Sequence, residues 1–324
     1  MSKPLKTIVI GTSLTEASDS VVRSGAALAR ATGASPWLVH AYLPLTLPPE
    51  AGLDARWIEE EERSLREGLL EQARRTGLFE LQGFFPEQIR LVIGPPHREI
   101  VDLAQRVEAG LVVVGAAESR HGLLGSTADR VIRKAPCPVL VVRSEIAFVP
   151  TRVEIPVDLS PVSAHAFGQG LDFLEQIGAP LSEAEVLFVL NPFEVGGSIQ
   201  FTQKQIERFA TEELQRFVKT NRPESERPRL TRVRTGYARK EILAAIAERR
   251  ADLAVLGTHG RSGFERLMLG SVAQGVLKDA SCNLLIVPAE AGRPQDTATE
   301  PFNELTGADW DYVSDESPVA ASRS

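Results

Sequence analysis

The chain is one unit written twice. SLTEAS (13–18) returns as DLSPVS (158–163), and GSTADRVIRKAPCPVLVV (125–142) returns as GSVAQGVLKDASCNLLIV (270–287), each 145 residues further on. Between them, GPPHREIVDLAQRVEAGLVVVG (94–115) returns as GYARKEILAAIAERRADLAVLG (236–257) after 142 residues. Features that recur in the same order mark a duplication, and two copies imply two similar domains rather than a solenoid. A length of 324 residues accommodates two domains of about 150 each. The boundary is expected within RSEIAFVPT (143–151), giving domains over 1–146 and 147–290 and a tail over 291–324.

Each copy alternates short β-branched runs with helical periods. In the second copy the strands read RVEIPV, EVLFVL, RLTRVRT, LAVLG and NLLIVP, with helices expected over 161–178, 200–221, 238–250 and 270–280. Several runs are apolar throughout rather than alternating, as in a parallel sheet covered on both faces. Ser160-Pro161 reads as an N-cap followed by proline in the first helical position. The pattern predicts a doubly wound α/β sandwich in each half. Ligands in such sheets sit at the carboxyl ends of the strands where the order reverses, and Asp158 and Gly257 end the first and fourth strands there.

The net charge of −7 argues against nucleic acid or an anionic membrane as partner, and most of it is local. Residues 291–324 hold seven acids against Arg293 and Arg323, leaving the rest nearly balanced. No apolar run approaches the roughly 18 residues of a membrane helix, and the apolar start is too short for a signal peptide. Cys137 and Cys282 fit neither a disulfide framework nor a zinc site, and the five histidines lack ligand spacing. A reducing cytoplasm is the expected setting.

The stretch GTHGRSGFERLMLGS (257–271) carries the most specific chemistry. Gly257 ends a strand, and lacking a β-carbon it lets a sugar or base reach the backbone. Gly260 allows the loop to fold over a ligand. Gly270 and Ser271 open a helix, where unpaired N–H groups favour phosphate. The Ser271 hydroxyl and the N–H of Val272 add donors, and Arg261 reads equally as a phosphate contact or as an ordinary loop residue. Turn chemistry alone is the competing reading of these glycines, most strongly at Gly263, and His259 reads as an exposed loop residue. No GxxxxGK[ST] is present, and no nucleophile or general-base constellation.

Gly257-x2-Gly260-x9-Gly270-Ser271, with Asp158 after the first strand, resembles the ATP-binding subclass of the universal stress proteins. The resemblance covers both repeats. It implies two tandem doubly wound parallel five-stranded sheets, Rossmann-like, in strand order 3-2-1-4-5. It also implies an ATP, ADP or AMP ligand, with Mg2+ as a companion to the phosphates. By analogy Asp158 faces the adenosine end, and the backbone near Val189 reads the adenine edge. Within the family the last strands pair across a dimer interface. Here PVLVV (138–142) and NLLIV (283–287) are expected to pair inside one chain as an internal pseudo-dimer, with a homodimer as further association.

The first copy keeps Gly115, Gly125 and Ser126, but its loop holds residues 116–124 against 258–269 in the second. Glu118 stands at the place of Gly260, and Ser13 at that of Asp158. A carboxylate beside phosphate is repulsive, so one nucleotide per chain is expected, in the second copy. The cysteines read as small buried hydrophobes. EEEER (59–63) reads as a solvated helix face with Trp57, Ile58 and Leu65 turned inward. The tail is expected to be a disordered acidic segment, with Phe302, Leu305, Trp310 and Tyr312 available to a downstream protein partner. Three functions compete: a nucleotide-binding stress or regulatory protein, a slow ATPase or self-phosphorylating enzyme, and a scaffold that binds no nucleotide. No catalytic residue is assigned.

Overall fold

The computed structural model describes residues 4–43, 55–116, 126–145, 149–191, 202–258 and 269–289. The first half runs β1 (Thr7–Gly11), α1 (Asp19–Thr32), β2 (Ser35–Tyr42), α2 (Ala55–Arg75), β3 (Ile89–Ile93), α3 (Pro96–Arg106), β4 (Leu111–Gly115), α4 (Ser126–Ile132) and β5 (Val139–Val142). The second runs β6 (Val153–Val157), α5 (Pro161–Gln176), β7 (Ala184–Leu190), α6 (Gln203–Asn221), β8 (Leu230–Thr235), α7 (Ala238–Arg249), β9 (Leu253–Gly257), α8 (Ser271–Asp279) and β10 (Asn283–Val287).

All the strands join one sheet in the order β3-β2-β1-β4-β5-β10-β9-β6-β7-β8. Each half is parallel and has the order 3-2-1-4-5 expected for it. The halves meet where β5 and β10 pair antiparallel, with Leu140 opposite Leu285. Both seam strands are buried along their whole length, so intramolecular pairing removes two apolar edges at once. Helices α1, α2, α5 and α6 cover one face over a core that includes Ile10, Leu69, Phe167 and Phe217. Helices α3, α4, α7 and α8 cover the other over Val112, Val114, Ile242 and Val276. Residues on both faces of the inner strands β4, β5, β9 and β10 are therefore buried, which is why those runs do not alternate, whereas the edge strands β3 and β8 hold no buried residue.

The connection between halves is held at both ends. Asn283 Oδ1 accepts the N–H groups of Arg143 (2.8 Å) and Ser144 (3.1 Å). The Asp252 carboxylate accepts the N–H groups of Thr151 and Arg152, each at 3.0 Å.

The helix expected from roughly residue 200 begins at Gln203, where Thr202 and Gln205 form a reciprocal capping box. One expectation needs correction. Ile58 does not turn inward. It is 46% exposed, and among the described side chains of α2 the buried positions are Leu69, Gln72 and Ala73. Periodicity predicts which side of a helix is apolar, whereas burial also needs a surface beneath that turn. The tail after Ala289, with Phe302, Leu305, Trp310 and Tyr312, lies outside the described residues.

Candidate functional site

In the second half the chain leaves β6 towards β7 and leaves β9 towards β10, on the opposite side. The carboxyl ends of β6 and β9 therefore form the switch point of the half-sheet, the crevice in which such sheets hold ligands. Asp158 follows β6 there. Its Oδ1 accepts the N–H (3.0 Å) and the hydroxyl (2.6 Å) of Ser160. Ser160 Oγ accepts Ser163 N–H, and Ser163 Oγ accepts Asp158 N–H, each at 3.1 Å. This ring of bonds holds Leu159 at φ 67°, a left-handed conformation that leucine rarely adopts. Asp158 thus shapes the rim, and Ser160 and Pro161 close the amino end of α5.

The other wall is built by Thr258, which sequence reasoning missed. Its N–H donates to Val287 O (3.0 Å), its carbonyl accepts Gly270 N–H (2.8 Å), and its hydroxyl accepts Ala289 N–H (3.1 Å). One buried residue therefore ties the end of β9 to the start of α8 and to the chain leaving β10. The only signal for it in the sequence is a threonine where the first copy has Ala116. Because the two ends of the glycine stretch meet, Gly257 and Gly270-Ser271 lie at one end of the crevice. His259, Gly260, Arg261 and Gly263 lie outside the described residues.

The amino end of α8, like that of α7, has no side-chain cap, but α7 carries Glu241 in its first turn. Ser160 caps α5 and Thr202 caps α6 by accepting first-turn N–H groups. The N-cap of α8 is Gly270, which has no side chain to offer, and no acid stands in the first turn. Ser271 and Val272 are exposed, so first-turn amides open towards solvent at the positive end of the helix dipole. Val189 lies one residue beyond the last β6–β7 pair, Val157 with Phe188, and pairs only with Arg234 of β8. Its side chain packs against the core under α7.

The first half keeps the frame and changes the lining. Ala116 N–H reaches Val142 O (2.9 Å), as Thr258 reaches Val287, but alanine has no hydroxyl to tie further chain. Ser13 is exposed and its hydroxyl pairs with that of Thr15 (2.9 Å). The end of β1 is gripped from α2 instead. Thr12 Oγ1 donates to Gln72 Oε1 (2.8 Å), and Gln72 Nε2 donates to Ser18 Oγ (3.1 Å) and Asp19 Oδ1 (2.7 Å). Arg75 closes this network on both oxygens of Asp19 and holds its carboxyl below the usual range. Glu118 and Gly125 lie outside the described residues. The cysteines are buried, with burial pushing each thiol up to about 12. Among the described residues no cluster of three or more His, Cys, Asp or Glu could hold a metal, and no helix is long and apolar enough to cross a membrane.

The fold and this crevice define a tandem, doubly wound α/β protein whose halves share a frame and differ in their lining. The chain belongs to the universal stress protein family, whose model matches residues 4–143 and again 151–288. It is similar to Universal stress protein Rv2005c of Mycobacterium tuberculosis, with 27% identity over 316 residues, 88% of this chain and 99% of that protein. The crystal structure of a universal stress protein from Archaeoglobus fulgidus superposes with a TM-score of 0.62 at 16% identity, over 89% of this chain and 97% of the other. A universal stress protein solved in complex with cAMP matches 44% of this chain and 98% of its own, at 26% identity and a TM-score of 0.35.

Proposed function

We propose that this universal stress protein binds one adenine nucleotide per chain, in its second half, and acts in a stress or regulatory response through that bound state. The observation that carries the reading is the amino end of α8. It has a glycine cap and no first-turn acid, at the carboxyl end of β9, whereas α1, α3 and α7, which also lack side-chain caps, carry Asp19, Glu99 and Glu241 in their first turns. A phosphate chain satisfies the amides of such an end and is favoured by the helix dipole. In this reading Asp158 faces the ribose and the backbone near Val189 reads the base. Gly260 and Arg261 complete the phosphate end in this reading, with ATP as the expected ligand. The first half is left without nucleotide: Ser13 and Ala116 replace Asp158 and Thr258, and α4 spans only Ser126–Ile132.

Calorimetric titration of ATP into the full chain tests this, alongside assay of any nucleotide that co-purifies. One site per chain, lost in Gly270→Val, is the expected result. Two sites per chain, or binding undisturbed by that substitution, would overturn the assignment to the second half.

A further inference from the structure

Arg143 follows β5 directly and belongs to the first half, yet its side chain serves the second. Its guanidinium Nη2 donates to the carbonyl oxygens of Leu277 and Lys278, the latter at 3.3 Å. Both carbonyls lie in the last turn of α8, where a helix leaves its acceptors without internal partners. A cation there also matches the negative end of the dipole. The backbone of Arg143 is held by Asn283 Oδ1 at the root of β10 (2.8 Å), so the guanidinium is delivered from a fixed point. From its own half, α8 is held by Arg239, which ion-pairs with Asp279 and crosses the helix at Gly275. A β-carbon on that glycine would stand 2.4 Å from Arg239 Cδ.

The arrangement has no counterpart across the seam. The residue equivalent to Arg143 is Pro288 and the one equivalent to Asn283 is Pro138, neither of which carries a side-chain donor or acceptor. A clamp from the opposite half is thus built for α8, in the half that keeps the glycine motif, and its elements are missing for α4.

We propose that Arg143 is a positioning residue for the nucleotide site: it fixes the seat of α8 and so lets the first half set the affinity of the second. This rests on the reading that nucleotide phosphates bind the amino end of α8. The helix has nine residues and is about 13 Å long, short enough to move as a rigid rod. It is packed through Ala273, Val276 and Leu277, so loosening its carboxyl end tilts it about that contact and displaces the first-turn amides. Linkage makes the effect reciprocal. Nucleotide at one end strengthens the clamp at the other, and the N–H groups of Arg143 and Ser144, both bound to Asn283 Oδ1, then open less often.

The test uses the full chain as wild type, Arg143→Ala, Arg143→Lys and Gly270→Val, titrated with ATP by calorimetry. Arg143→Ala is expected to bind ATP about fivefold to tenfold more weakly, the range of a modest coupling free energy. Arg143→Lys keeps the charge and recovers part of the loss, and Gly270→Val removes binding. Arg143→Ala binding as tightly as wild type while Gly270→Val does not bind would overturn the clamp and leave the nucleotide reading standing. A wild-type chain that binds no ATP overturns both. Should Arg143→Ala fail to fold, amide exchange of the wild type decides. ATP is expected to slow exchange at residues 143 and 144, and unchanged exchange there sinks the proposal.

Discussion

Replacing Glu154 by valine is expected to change how the stability of the protein responds to pH. Glu154 lies on β6, in register with Glu185 on β7, and is 0% exposed. Neither of its oxygens has a hydrogen-bond partner. Arg249 of α7 is nearest, with Nε 3.7 Å away, but makes its closer contact, 3.0 Å, with Glu185. Arg232 and Arg234 of β8 are the remaining charges that act on it, and β9 offers only Ala254 in register. Burial first, then the Glu185 carboxylate, push the Glu154 carboxyl up from 4.5 to about 8, against the weaker pull of the three arginines. The folded chain therefore holds a proton that the unfolded chain releases above pH 4.5. Stability from this group is full below that pH and is lost as pH rises towards 8. At about 1.4 kcal/mol per pH unit the ceiling is about 5 kcal/mol. The first half has Val9, Trp37 and Val107 where the second has Glu154, Glu185 and Arg249, so valine is a side chain this fold accepts at that place. The void left by the substitution costs on the order of 1 kcal/mol. Urea unfolding at pH 5, 6, 7 and 8 is the assay. Near pH 5 the two proteins should be of similar stability, and by pH 8 Glu154→Val should be the more stable by on the order of 3 kcal/mol. A difference that stays flat across that range would refute the buried, protonated carboxyl.

The glycines of α5 make a second test within one helix. A β-carbon on Gly170 would stand 2.5 Å from Val255 Cγ1, whereas one on Gly168 meets nothing within 4 Å. Gly170→Ala should destabilise by about 1–3 kcal/mol and Gly168→Ala should be neutral or mildly stabilising, as read by thermal unfolding. The cysteines make a third. With thiols pushed up to about 12, neither Cys137 nor Cys282 should react with a thiol reagent at pH 8 until urea unfolds the chain. Rapid labelling of the native protein would contradict their burial.

Much of the fold was legible before any coordinates, because the informative patterns are local. Five short strand-like runs per copy, the Ser160-Pro161 cap and the GS before a helix each depend on neighbours within a few residues, and the duplication repeats the runs and the GS in order. The glycine-capped amino end of α8 was legible for the same reason: a strand, a glycine stretch and a helix start are consecutive. Ile58 was misread because its helical face is set by period, while the surface that would bury it is set by distant chain. What tertiary structure alone decided is long-range. Thr258 becomes a knot only when β10 lies beside β9, Glu154 loses its solvent only under α7, and Arg143 finds the carbonyls of α8 across 134 positions of sequence. A sequence displays which groups can donate, accept or ionise. Which of them face each other, and how dry the place is where they meet, is set by strand register and layer packing, and no short window of residues carries that information.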